Sequence, residues 1–122
     1  MEVTFVPNDG YVLARTSGAI NEAAREVFQE QLHPLVADGT QLVLDLSGSQ
    51  RIDSQGVSNL VTLVAHANTN SSRVIFCNLQ PYVAQVLSVT KLDKFFDVAT
   101  SLDDAIARAT KSANPIVVAS EV

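Results

Sequence analysis

The run Leu-Val-Leu-Asp-Leu at residues 42–46 is the feature that most narrows the folds open to this chain. A run that is apolar at nearly every position is typical of a strand covered on both faces, and such strands occur almost only in sheets with helices packed against them. The next apolar pattern supplies a helix, because Val57, Leu60, Val61 and Val64 recur at the spacing of one helix face. Together the two patterns predict an α/β fold.

Elements of alternating type are predicted on both sides of this strand. Strands are expected at residues 2–6, 11–16, 73–77 and 96–99, and helices are expected to begin near Asn21, Gln55, Pro81 and Ser101. The Asp9-Gly10 step predicts a hairpin between the first two strands, and strands separated by helices predict right-handed parallel crossovers. We therefore expect a mixed, mostly parallel five-stranded sheet with an N-terminal antiparallel hairpin and four helices mainly on one side.

Pro34 interrupts the apolar pattern of the first helix. A proline inside a helix removes a backbone hydrogen bond and crowds the preceding turn. We therefore expect a kink or a restart at this point, before Gly39 ends the helix.

The length of 122 residues is enough for one domain with its own core and too short for two. We expect residues 1–112 to form that domain. Residues 113–122 form a tail whose apolar stretch, 116–119, could add an edge strand, make a dimer contact or be disordered. The local pattern leaves these three alternatives open.

The charge balance and the apolar runs argue against several functions. Eight lysines and arginines against 13 aspartates and glutamates give a net charge of −5, with no basic stripe, so we expect no nucleic-acid partner. No run approaches the roughly 20 apolar residues of a membrane span, and the first residues lack the features of a signal peptide. A cytoplasmic protein without membrane insertion is expected, and its single cysteine, Cys77, is expected to be a buried strand thiol.

The turn Asp53-Ser54-Gln55-Gly56 joins the apolar strand to the helix that follows it. It places the hydroxyl of Ser54 at a helix N-terminus, where free N–H groups and the positive end of the helix dipole would accept a phosphate. The alternative is that Ser54 is only the N-cap of the helix, a role that Asp53 could fill equally. Gly56 is expected to need a conformation, or a close approach, that a β-carbon would resist.

A strip of uncharged side chains follows Ser54 on the outward face of the same helix: Gln55, Ser58, Asn59 and Thr62. Such positions are most often only a solvated helix face. Their lack of charge also suits a docking surface, because a partner that covers them desolvates no ion. Both interpretations stand at this point.

No pattern in the chain indicates an enzyme. The two histidines, His33 and His66, lie on different predicted helices, and neither belongs to a spaced set of metal ligands. Ser54 lacks the Gly-x-Ser-x-Gly context of a nucleophile elbow, because Ile52 stands two residues before it. The chain also has no glycine-rich nucleotide loop. We therefore expect no catalytic residue, no metal site and no cofactor.

The motifs and their order resemble the STAS domain, the module of bacterial anti-sigma factor antagonists in sporulation and general stress control. The likeness centres on residues 42–48 and 51–57, which resemble the phosphorylation loop of that family. It continues through residues 74–79, 81–83, 86–87, 91–96 and 101–105. It covers nearly everything from Glu2 to about Lys111, and only the C-terminal tail falls outside it.

This resemblance implies a partner-switching protein in transcription regulation. In the family, the unphosphorylated antagonist binds an anti-sigma factor that is also a serine kinase, phosphorylation ends the binding, and a serine phosphatase resets the cycle. The resemblance makes Ser54 the phosphoacceptor, with Asp53, Gln55 and Gly56 completing its loop. Asn21 stands where many members carry an aspartate.

The expected partner-binding residues are Asn21 together with Ser58, Asn59 and Thr62 of the uncharged strip. A weak homodimer is left open. The same domain also serves as a subunit that clamps the ATPase of a lipid-transport ABC system and as the cytoplasmic tail of an anion transporter. The closeness of residues 53–56 to the phosphorylatable type favours the switch over these scaffolds.

Overall fold

The computed structural model describes residues 1–113 of the chain, with side chains as far as Thr110. Within these residues the strands are β1 (Glu2–Asn8), β2 (Tyr11–Ser17), β3 (Gln41–Gly48), β4 (Arg73–Cys77) and β5 (Asp97–Val98). The first helical segment, α1, occupies residues 22–37 in four consecutive pieces: Glu22–Ala24, Arg25–Val27, Phe28–Leu32 and His33–Ala37. The later helices are α2 (Ser54–Thr69), α3 (Pro81–Val89) and α4 (Leu102–Ala113).

The strands form one sheet in the order β1-β2-β3-β4-β5. β1 pairs antiparallel with β2, and the other neighbours are parallel. Because each new parallel strand is added on the same side of the one before it, right-handed crossovers place α1, α2 and α3 on one face. α4 follows β5 and packs on the opposite face, against β3 and β4. The expected mixed sheet, its N-terminal hairpin and the helices mainly on one side are confirmed.

The two faces of the sheet carry separate apolar cores. Leu42 and Leu44 of β3 belong to the core under α1, α2 and α3, whereas Val43 belongs to the core under α4. The first core is the larger one, and it holds the wholly buried rings of Phe28 and Phe76. Both faces of β3 are thus covered, which explains why its sequence is apolar at nearly every position.

α1 changes its winding ahead of Pro34. The turn Phe28–Leu32 is π-helical, and the α-helical turn His33–Ala37 follows it. Pro34 has no N–H to donate, and its ring would crowd the carbonyl of a regular preceding turn, so the wider π turn accommodates both constraints. The irregularity expected at Pro34, a kink or a restart, is thus a change of winding without a break in the helix. Gly39 ends the segment with a φ of 80° and donates its N–H to the carbonyl of Val36.

Cys77 lies at the end of β4 and is wholly buried in the core under α4. Burial raises the pKa of its thiol to about 11, and the nearby Asp45 carboxylate adds a smaller contribution. A thiol held in this state forms little of the thiolate that reacts with oxidants or metals. The expectation of a buried strand thiol is confirmed.

α4 runs to Ala113, which is the last residue that the structure describes. The tail expected at residues 113–122 therefore lies outside the described residues, apart from Ala113 itself.

α2 is 16 residues long, and no helix in residues 1–113 has the length and apolar character that crossing a membrane requires.

Candidate functional site

Two loops at the carboxyl ends of β2 and β3 lie side by side and form the floor of the site. The N–H of Ile20 donates to the carbonyl of Arg51 at 2.9 Å, and the N–H of Asp53 donates to the carbonyl of Ile20 at 3.3 Å. Ile20 and Ile52 form a short parallel bridge, and both side chains are buried. This pairing fixes the backbone from which α2 begins.

Gly56 lies against this floor in the first turn of α2. A β-carbon on Gly56 would overlap the carbonyl oxygen of Ile20, and it would lie 2.6 Å from the carbonyl carbon of Ile20 and 2.8 Å from Cγ1 of Ile52. The backbone of Gly56 is helical and its φ is not positive. Of the two reasons expected for glycine here, the close approach is confirmed and the unusual conformation is wrong.

Asp53 caps α2. Its carboxylate Oδ1 accepts a hydrogen bond from the N–H of Gly56 at 2.8 Å, and its carbonyl accepts one from the N–H of Val57 at 2.9 Å. An acidic N-cap satisfies a free N–H group and faces the positive end of the helix dipole. The cap role that the local pattern allowed to either Ser54 or Asp53 therefore belongs to Asp53.

Ser54 is the first residue of α2, and its side chain is exposed. Among the described residues, the hydroxyl and N–H of Ser54 have no hydrogen-bond partner, and neither has the N–H of Gln55. The helix start thus presents a free hydroxyl and two free N–H groups at the positive end of a 16-residue helix. A phosphate on Ser54 would find donors there without any change to the cap.

Asn21 and Asn59 link the start of α1 to α2. The side-chain amide of Asn59 donates to the carbonyl of Asn21 at 3.0 Å, and that carbonyl also accepts from the N–H of Ala24 at 3.0 Å. The side chain of Asn21 makes no cap bond, and its Oδ1 is buried without a hydrogen-bond partner among the described residues. The side chain of Asn59 therefore links α2 to the start of α1, whereas the side chains of Ser58 and Thr62 are exposed.

A groove between α1 and α2 begins beside Ser54, and we call it the polar groove. Its volume is about 270 Å³, and it is lined by Gln55, Ser58, Asn59 and Thr62 of α2 and by Arg25, Phe28, Gln29 and His33 of α1. The uncharged strip recognised in the sequence is therefore one wall of this groove. The opposite wall, formed by α1, carries the positive charge of Arg25. The sequence pattern of the strip gave no indication of this charge.

A mostly apolar surface lies on the other side of Ser54. It is lined by Ile52, Asp53, Val57, Tyr82, Val86 and Thr90. Tyr82 is 49% exposed, and the guanidinium of Arg51 lies 5.7 Å from the centre of its ring. Val89 at the end of α3 is 73% exposed. Sequence reasoning missed this apolar surface, although α3 visibly carries more apolar residues than its inward face can bury.

Comparison with known proteins identifies a family. The family model described as the STAS domain matches residues 2–105. BtrV of Bordetella bronchiseptica, which carries the name of an anti-sigma factor antagonist, is 29% identical over 116 residues that span 94% of this chain and 99% of BtrV. The matches thus cover nearly the whole chain and include the loop that carries Ser54.

Solved structures show the same fold. A crystal structure from Thermotoga maritima, described as that of an anti-sigma factor antagonist, is 17% identical with a TM-score of 0.78, covering 88% of this chain and 93% of its own. The unphosphorylated form of the anti-sigma factor antagonist SpoIIAA is 18% identical with a TM-score of 0.66, covering 88% of this chain and 96% of its own. At these identities the likeness is one of fold.

Proposed function

The chain belongs to the STAS domain family, and we propose that it acts as an anti-sigma factor antagonist controlled by phosphorylation of Ser54. In this proposal the unphosphorylated protein binds an anti-sigma factor that is also a serine kinase. The phosphorylated protein does not bind it, and a serine phosphatase restores binding. The likeness to BtrV, which carries the name of an anti-sigma factor antagonist, supports an anti-sigma factor as the partner.

The observation that carries the proposal is the separation of roles at the start of α2. Asp53 caps the helix through the N–H of Gly56, so the hydroxyl of Ser54 has no structural task among the described residues. A serine present only as a cap would make the cap bond itself. An exposed, unbonded hydroxyl on a fixed loop is instead suited to a kinase.

A phosphate on Ser54 would change the charge of this surface more than its shape. It adds about −1.5 to −2 charges at neutral pH, directly after the Asp53 carboxylate. Because the polar groove and the apolar surface lie on either side of Ser54, a partner that contacts both must cover the serine. Burying such a charge in an interface is costly, and each loss of about 1.4 kcal/mol lowers affinity tenfold.

Phosphate mapping tests the proposal directly. The protein is incubated with ATP and candidate anti-sigma serine kinases from its own genome, and the modified residues are located by mass spectrometry. We expect phosphate on Ser54 and no incorporation into the Ser54→Ala variant. Phosphate found mainly on Ser47, Ser58 or Thr62 of the wild-type protein would contradict the proposal.

A charge placed in the polar groove should weaken binding of the kinase. Ser58→Lys puts an ammonium group into a wall of uncharged side chains, and we expect the affinity to fall by at least about tenfold, because that charge must be desolvated. Since an exposed helix position tolerates lysine, the free energy of unfolding should change by less than about 0.5 kcal/mol. Calorimetric titration against the kinase and a thermal melt measure the two quantities.

Ala107→Lys is the matched control for Ser58→Lys. Ala107 is exposed on α4, on the opposite face of the sheet, so we expect its lysine variant to bind like the wild type. Asn59→Lys is a poorer probe, because it also removes the hydrogen bond to Asn21. If Ala107→Lys weakens binding and Ser58→Lys does not, the polar groove is not the docking surface.

A further inference from the structure

His33 of α1 and His66 of α2 meet at the end of the polar groove that is far from Ser54, where His33 lines the groove. Their ring centroids are 5.1 Å apart, and the ring planes are inclined at 48°. Both side chains are half-buried, and neither ring is hydrogen-bonded to another described residue. Along α2, His66 lies roughly 16 Å from Gln55, which stands next to Ser54. The contact was not expected from the sequence, because it joins different helices.

The spacing of the two rings fits a shared metal ion. Zn²⁺ binds imidazole nitrogen at about 2.0–2.1 Å, which at a tetrahedral angle places two ring centroids about 5 Å apart. The rings also come from two different helices, so one ion would bridge α1 and α2. We propose that His33 and His66 chelate one Zn²⁺ or a similar divalent transition metal ion.

The ligand chemistry of the two side chains supports this site. Imidazole is a preferred ligand of zinc, copper and nickel. The net charge of −5 also favours binding of a cation.

The site is an open one. No group of three or more His, Cys, Asp or Glu side chains is placed to hold a metal ion within the part of the chain that the structure describes. Water would therefore complete the coordination, and the affinity should be lower than that of structural zinc sites, which use four protein ligands. A bound ion would hold α1 against α2 and fix the width of the polar groove. This inference goes beyond the proposed function and does not depend on phosphorylation of Ser54.

Titration of the full chain with ZnCl₂ tests the site. We expect calorimetry to give one ion per chain, and we expect the melting temperature to rise with the concentration of Zn²⁺ and to fall back when EDTA is added. His33→Gln and His66→Gln should each weaken binding by at least tenfold. The double variant should bind no more weakly than the weaker single variant, because both rings serve one ion.

Two controls separate this chelate from other modes of binding. Cys77→Ser removes the single thiol of the chain and should bind Zn²⁺ like the wild type. The imidazole nitrogen NMR shifts of both histidines in the wild-type protein should move together on adding Zn²⁺, which tests the site without any variant. Single variants that bind like the wild type, or binding that occurs only in a dimer by gel filtration, would overturn the proposal.

Discussion

Phosphorylation of Ser54 is expected to weaken binding to the anti-sigma kinase by at least about a hundredfold, or roughly 2.7 kcal/mol, while the protein stays folded. The loss would follow from placing about two negative charges in the proposed interface, next to the carboxylate of Asp53. Thermal stability should hold or rise, because a negative group at the N-terminus of α2 is worth about 0.3–1 kcal/mol to the helix. Calorimetric titration of the phosphorylated and unphosphorylated proteins measures the loss of affinity. Thermal melts of the same two proteins measure the change in stability.

Ser54→Ala and Ser54→Asp extend this test to variants. Since Asp53 makes the cap bond, Ser54→Ala should lose less than about 0.5 kcal/mol of stability and should bind the kinase whether or not ATP is present. Ser54→Asp should bind weakly, although it carries only one of the charges of a phosphate. Ala107→Asp, on the far face of the sheet, should bind like the wild type. A phosphorylated protein that binds as tightly as the unphosphorylated one would rule out the switch.

Gly56→Ala is expected to destabilise the protein by about 3 kcal/mol or more, with a fall in Tm on the order of 10 °C. The added β-carbon would overlap the carbonyl of Ile20, so the loop that carries Ile20, or the start of α2, must move. The sign of the change in the free energy of unfolding is informative, because replacing glycine by alanine within a helix ordinarily stabilises a protein by about 0.4–1 kcal/mol. Urea denaturation gives the free energy of unfolding.

Gly39→Ala is the matched control for this substitution. Gly39 has a φ of 80°, and an added β-carbon would meet only the carbonyl oxygen of Asn70, at 3.8 Å, among the described residues other than its chain neighbours. Its alanine variant should therefore lose only the conformational cost of about 1–2 kcal/mol. An unchanged or higher stability of Gly56→Ala would show that the approach to Ile20 is not close in solution.

The fold could be predicted because its strongest signals are local. The apolar run of β3 and the helical spacing of Val57, Leu60 and Val64 identify their elements without knowledge of the rest of the chain. Right-handed crossovers then fix the side on which the helices lie. An irregularity at Pro34 was also predictable, because proline removes a backbone hydrogen bond, but its π-helical form was not.

The candidate site could be predicted only in part. Both Asp53 and Ser54 are good N-caps, and the choice depends on the hydrogen bond between Asp53 and Ile20, which lie far apart in sequence. The sequence predicted that position 56 needs glycine. It did not show that the atom approached there is the carbonyl oxygen of Ile20. The meeting of His33 and His66 depends on how α1 packs against α2, and no local pattern encodes that packing.

The order of the strands bears on how the protein emerges from the ribosome. Within residues 1–113, each strand after β1 pairs with the strand made just before it, so it finds its partner already present during synthesis from the N-terminus. The second core is different, because Val43, Ile75 and Cys77 are covered by Ala105 and Ala109 of α4, the last helix of residues 1–113. Until α4 has been made, one face of the sheet exposes an apolar patch. Such a patch can associate with other incompletely folded chains. The interval between the synthesis of β4 and that of α4 is therefore the period when a nascent chain is most prone to aggregate.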